Sequence, residues 1–70
     1  MSDNPLQILI NQTPYTLPYG ASLADAIAVS GIHPPFAAAV NLQFVPRSQY
    51  DQHALANQDK IELISPITGG

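Results

Sequence analysis

Few residues in this chain could do covalent chemistry. Cysteine is absent, so there is no thiol nucleophile and no thiolate metal ligand. The two histidines, His33 and His53, stand 20 positions apart. A zinc site needs three or four ligands, so no metal site is expected. Ser22, Ser30, Ser48 and Ser65 have no nucleophile motif around them, so no hydrolytic triad is expected either. There is no Gly-rich phosphate loop with its lysine, so no bound cofactor is expected and any ATP must be handled by another protein. What remains is the stretch Ser65-Pro66-Ile67-Thr68-Gly69-Gly70. Two glycines pack nothing and cost backbone entropy, and a frayed end is their ordinary explanation. A carboxylate on a slim tail also has a chemical use. As a mixed anhydride with AMP it becomes an electrophile open to a sulfur nucleophile. Six extended residues reach about 20 Å, and the bare Gly69 lets the backbone pass a narrow channel. The activating enzyme would be a separate protein.

Such a tail needs a body to present it. The 70 residues make one small domain. At that size only about 60% of the unfolded chain's surface is buried, so the core is thin. Charged residues are 10% of the chain, and Lys60 and Arg47 are its only Lys or Arg. That rules out a basic phosphate-binding face and most modes of nucleic-acid binding. The formal charge of −3 weakly favours neutral or basic partners. No apolar run approaches the ~20 residues of a membrane span. Met1-Ser2-Asp3-Asn4-Pro5 lacks the basic-then-apolar order of a signal peptide. A cytoplasmic protein without a membrane partner is the expectation. Seven prolines imply short, interrupted elements.

Alternation and turn chemistry place those elements. Leu6–Asn11 reads as a strand with Leu6, Ile8 and Ile10 on one face. Gln12-Thr13-Pro14 reads as a turn and Tyr15–Leu17 as a second strand, forming a hairpin. Ser22 with Asp25 three residues on opens a helix. Leu23, Ala26, Ile27 and Ser30 keep helical spacing, and Leu23 and Ile27 are expected to face a sheet. Gly31 suits the C-terminal cap, and Pro34-Pro35 prevents continuation. Phe36–Asn41 reads as a strand with Phe36, Ala38 and Val40 alternating; a helix over 36–40 is the alternative. Asn41-Leu42-Gln43 is a turn, and Phe44-Val45 a short strand ended by Pro46. The segment 47–54 is polar and irregular, with Leu55 as its anchor. After a turn at Asn57-Gln58-Asp59, Lys60–Ile64 is the last strand. The expected organisation is a domain over 1–64, with 1–5 a loose leader, and a flexible tail over 65–70. The fold class is α+β, a mixed sheet of four to five strands with one helix on one face. The β-grasp has this order.

Several stretches resemble the ThiS family, the ubiquitin-like sulfur carriers of thiamine biosynthesis. They are Ile8-Leu9-Ile10-Asn11, Leu17-Pro18 with Gly20 and Ser22-Leu23-Ala24-Asp25, Ala39-Val40-Asn41 with Val45-Pro46-Arg47-Ser48, and Asp59–Ile64 with Gly69-Gly70. The resemblance implies that Gly70 is adenylated by a ThiF-like, E1-like adenylyltransferase that uses ATP. It further implies conversion of Gly70 to a thiocarboxylate, with sulfur from a persulfide donor enzyme, and delivery of that sulfur to a ThiG-like thiazole synthase. Gly69 is then the slim neighbour that gives access. The chain itself would be a co-substrate, not an enzyme. Leu42 and Gln58 stand where the family often has glycine, so those two turns are expected to differ. Pro66-Ile67-Thr68 also departs from the commoner tail. A MoaD-like carrier for molybdopterin synthesis shares the fold; the short length and Val45-Pro46-Arg47-Ser48 argue against it. Two further rivals are a ubiquitin-like modifier that forms isopeptide bonds and an interaction domain with an inert tail.

Alternation also suggests a docking face. If Ile8, Ile10, Ala38, Val40, Ile61 and Leu63 face the helix, then Leu9, Ala39 and Ile64 face away. With the first and last strands adjacent, Leu9 and Ile64 should lie close together, forming an apolar patch at the root of the tail. Scattered surface hydrophobes are the ordinary explanation. Arg47 is expected to make a local hydrogen bond or to be solvated, with a partner contact as the less favoured role. Lys60, Asp51, Asp59 and Glu62 read as solvated. Tyr15 and Tyr50 read as core-edge residues, and Tyr19 as turn packing.

Overall fold

The computed structural model describes residues 4–66. Along the chain the elements are β1 (Leu6–Ile10), β2 (Thr13–Leu17), α1 (Leu23–Ser30), β3 (Ala37–Val40), β4 (Gln43–Val45) and β5 (Lys60–Ile64). A short 3₁₀ turn, Arg47–Gln49, follows β4. The strands form one sheet in the order β2-β1-β5-β3-β4. β1 and β5 run parallel, with Ile10 opposite Ile61. The other three pairings are antiparallel. This is the mixed sheet of the β-grasp, and β5 lies at its centre.

Local chemistry explains most boundaries. α1 begins with a complete capping box: the Asp25 N–H donates to Ser22 Oγ at 3.3 Å, and the Ser22 N–H to Asp25 Oδ2 at 2.9 Å. It ends at Gly31, whose φ of 77° is left-handed and unstrained only for a residue without Cβ. Leu23 and Ala26 are its buried residues; Ile27 is half-buried against the core. Leu23 and Ile27 thus face the core as expected, and Ala26 joins them as a fully buried residue.

Two hairpin turns are tighter than expected, and three turns hold non-glycine residues at positive φ. Asn11-Gln12 and Asn41-Leu42 are two-residue hairpin turns with both residues at positive φ, the type I′ pattern whose twist matches the flanking strands. β2 therefore starts at Thr13 rather than Tyr15, and β4 at Gln43 rather than Phe44. Pro14 is inside a strand, which only an edge strand tolerates. It pairs with Leu9, whose own N–H points the other way, to Asp59 O at 3.0 Å, so Pro14 is not asked for the donor it lacks. The third turn holds Gln58 at φ 74°. Its N–H donates to Gln7 O at 2.6 Å. Leu42 and Gln58 thus keep the left-handed backbone in place of glycine.

β3 is shorter than expected, Ala37–Val40 instead of 36–41. Pairing with β4 on one side and β5 on the other excludes a helix there. Phe36 lies just outside, stacked on Tyr50 with ring centroids 5.9 Å apart. The irregular segment is tied across the start of α1 by Leu23 N–H to His53 O and Ala24 N–H to Tyr50 O, both 2.9 Å. Leu55 anchors it, buried as expected. The core joins Leu6, Ile8 and Ile10 of β1, Leu17, Leu23, Ala26, Ala38, Val40, Val45, Leu55, Ile61 and Leu63. Ile8, Leu23 and Ile61 are its fully buried large side chains.

Candidate functional site

The central strand is also the strand that carries the tail. Its burial alternates: Ile61 and Leu63 are buried, while Lys60, Glu62 and Ile64 are exposed. Ser65 and Pro66 follow, both exposed. Gly69 and Gly70, the expected reactive end, lie outside the described residues.

Asparagine side chains hold both ends of β5. At its start, Lys60 N–H donates to Asn41 Oδ1 at 3.0 Å, and Asn41 Nδ2 donates to Asp59 Oδ1 at 3.0 Å. The Ala56 N–H donates to the other Asp59 oxygen at 2.8 Å. Asp59 is only 9% exposed. It was expected on a solvated face, and the structure makes it a buried acceptor satisfied from two directions. At the far end, Leu63 N–H donates to Asn11 Oδ1 at 2.9 Å, and Asn11 Nδ2 donates to Leu63 O at 3.1 Å. The sequence reads Asn11 as the end of a strand and Asn41 as the end of a strand and start of a turn, with no further role for either. Their side-chain partners lie 18 to 52 positions away, so no local signal could show them.

The sheet face turned away from α1 is apolar near the tail root, but not as expected. Ile64 pairs with Ala37 and Glu62 with Ala39. Ala39 in turn pairs with Phe44. Leu9 pairs with Lys60, four residues before Ile64, or about 13 Å along the strand. The register thus separates Leu9 from Ile64, with Lys60 and Glu62 on the same face between them. Phe44, 69% exposed, lies on the same face as Ile64, 59% exposed, but two strands away, across Ala39 from Glu62. Ala37 and Ala39 of β3 lie between these two with small side chains, a shallow apolar saddle bordered by the exposed Glu62 opposite Ala39. Phe44 was not among the expected docking residues, although its place before inward-facing Val45 on a strand signals an outward side chain.

A second concavity lies on the helix side of the sheet. Ile27, Ile32, Phe36, Tyr50 and Arg47 line it with Pro34 and Pro35, around about 380 Å³. Arg47 is exposed at its margin. His33 is exposed and His53 half-buried. Among the described residues, no three His, Cys, Asp or Glu side chains cluster closely enough to hold a metal ion. Among those residues no helix is long and apolar enough to cross a membrane. Ser22 and Asp25 are engaged in the helix cap, and Tyr19 is exposed. What the arrangement offers is a fixed strand end beside an apolar face, with the sheet bracing both.

Comparison with known proteins agrees with this layout. The model of the ThiS family matches residues 8–70. Among solved structures, the thiamine biosynthesis protein ThiS from Geobacter metallireducens superposes with a TM-score of 0.76. The two share 14% identity, over 93% of this chain and 100% of that one, so this likeness concerns the fold. No curated protein matches the chain.

Proposed function

The chain belongs to the ThiS family, whose members are small sulfur carriers rather than enzymes, and from that premise we propose that its Gly70 is the acyl group that carries sulfur for thiazole formation in thiamine biosynthesis. A carboxylate oxygen of Gly70 attacks the α-phosphorus of ATP on a ThiF-like enzyme, and pyrophosphate leaves. The terminal sulfur of a donor enzyme's persulfide attacks the acyl carbon, and AMP leaves. A thiol then cleaves the resulting acyl disulfide, forming a new disulfide and freeing the thiocarboxylate. On a ThiG-like thiazole synthase the thiocarboxylate sulfur attacks an electrophilic carbon of the substrate, water cleaves the acyl–sulfur bond, and the sulfur stays with the substrate while the carboxylate returns. All nucleotide chemistry belongs to the partner enzyme.

The observation that carries this reading is the family match, which continues through both terminal glycines. The position of β5 supports it: the strand ends beside the saddle of Ile64, Ala37, Ala39 and Phe44, an apolar surface a partner enzyme can cover while the tail enters its active site. Ala39 and Ile64, expected as docking residues, are part of this proposed surface. Leu9 stands at the edge of that face.

The test is intact-mass measurement after incubation with a ThiF-like enzyme, ATP and a sulfur source. The expected product is heavier by the exchange of one oxygen for sulfur, and deleting Gly70 abolishes it. An unchanged mass for the full chain overturns the proposal. Transfer to a molybdopterin precursor instead of the thiazole synthase would reassign the pathway.

A further inference from the structure

The Asn11 side chain does more than shape a turn. In a parallel ladder the hydrogen bonds are evenly spaced along the strand. Here Leu9 N–H donates to Asp59 O at 3.0 Å and Asn11 N–H to Ile61 O at 2.9 Å. The next acceptor in that series is Leu63 O, and its donor would be a residue of β1 beyond Asn11. But β1 ends at Ile10, and the backbone turns away through Asn11-Gln12. The Asn11 carboxamide fills the vacated place. Nδ2 meets Leu63 O at 3.1 Å, and Oδ1 receives Leu63 N–H at 2.9 Å. One side chain supplies the donor and the acceptor that a continuing strand would have supplied.

We propose that Asn11 is a positioning residue for the tail: its carboxamide latches Leu63, and so fixes the direction in which Ser65 and Pro66 leave the sheet. On the other side, β3 already holds Ile64 through Ala37. With the latch, the strand end is held from both sides up to the last residue before the tail. Without it, Leu63 keeps its buried side chain but loses its partner toward β1, and the root can splay toward solvent. An enzyme that draws in the tail must then order a wider set of starting directions, which raises KM and leaves the chemical step alone. The kinetic part rests on the carrier reading; the latch itself does not.

The structure supplies its own control. Asn41 has nearly the same φ, 52° against 50°, and bridges the opposite end of β5, accepting from Lys60 N–H and donating to Asp59 Oδ1. Glycine accepts the backbone at either position, so Asn11→Gly and Asn41→Gly each remove a carboxamide while keeping the turn. Both are compared with wild type by thermal unfolding, amide exchange at Leu63 and steady-state adenylation of the full chain. Asn11→Gly should speed Leu63 exchange and raise KM about tenfold, the size of one net hydrogen bond, with kcat unchanged. Asn41→Gly should lower stability comparably and leave both unchanged. If Asn11→Gly fails to fold, Asn11→Asp keeps the acceptor for Leu63 N–H and removes the Nδ2 donor to Leu63 O, and a smaller rise in KM is expected, an unchanged KM overturning the proposal. Equal KM changes in the two glycine variants would reduce Asn11 to a structural residue and overturn the proposal, as would an unchanged KM for Asn11→Gly. Should the wild-type chain fail to be adenylated, the carrier reading falls, and Leu63 exchange alone decides the latch: faster in Asn11→Gly supports it, unchanged overturns it.

Discussion

Asn11, Gln12, Asn41, Leu42 and Gln58 all hold positive φ without being glycine. Asparagine adopts this backbone readily, and at both hairpins it does so while its side chain bridges to β5. Leucine has neither excuse. Leu42 sits at φ 71° and is 85% exposed, so it loses nothing by truncation and bears the left-handed clash of its Cβ. Asn-Gly is the preferred pair for this turn. Leu42→Gly should therefore raise stability by about 1 kcal/mol, seen as a higher denaturant midpoint with an unchanged slope. A lower midpoint would show that the side chain contributes something exposure does not reveal. The family resemblance marks Leu42 and Gln58 as places where glycine is common and implies altered turns; the structure keeps the glycine-like backbone at both.

At the scale of elements, β4 matters more than its three residues suggest. It is an edge strand, yet it delivers Phe44 to the face on which Ile64 lies, across the small Ala37 and Ala39. Exposed aromatic and aliphatic side chains grouped in this way suit a partner surface. Phe44→Asp and Ile64→Asp should each raise the KM for adenylation at least tenfold while the far-ultraviolet circular dichroism and melting temperature stay near wild type. Leu9→Asp, displaced along the sheet, should have a smaller effect. Equal effects of all three would mean that the docking surface covers the whole sheet face; no effect of Phe44→Asp would remove the saddle from the interface. The helix contributes differently. Its capping box fixes where α1 starts, and its Leu23 and Ala26 complete the core beneath the sheet.

At the scale of the molecule, a small domain rests on a few side chains. Ile61 is 1% exposed and sits on the central strand, opposite both Ile10 and Val40. Ile61→Ala should cost about 2–5 kcal/mol, a large share of the stability a domain this short can have. Thermal unfolding would then fall by tens of degrees, and adenylation would be lost with the fold rather than through the site. A modest shift would mean that the core closes around the gap. The same strand therefore organises the core with one face and forms part of the proposed docking surface with the other.

Element order, the helix cap and the inward residues Leu6, Ile8, Ile10, Ala38, Val40, Ile61 and Leu63 were readable from the chain, because they follow from alternation, capping chemistry and prolines acting over a few positions. The slim Gly69-Gly70 end was equally plain as composition. Register was not. Whether Leu9 or Phe44 joins Ile64 depends on which residues stand opposite one another in separate strands, and a shift of two residues preserves every inside-outside pattern while moving the neighbours. The roles of Asn11, Asn41 and Asp59 were hidden for the same reason: their partners are distant in sequence, and only the assembled sheet brings a turn amide to the backbone of the strand that bears the tail.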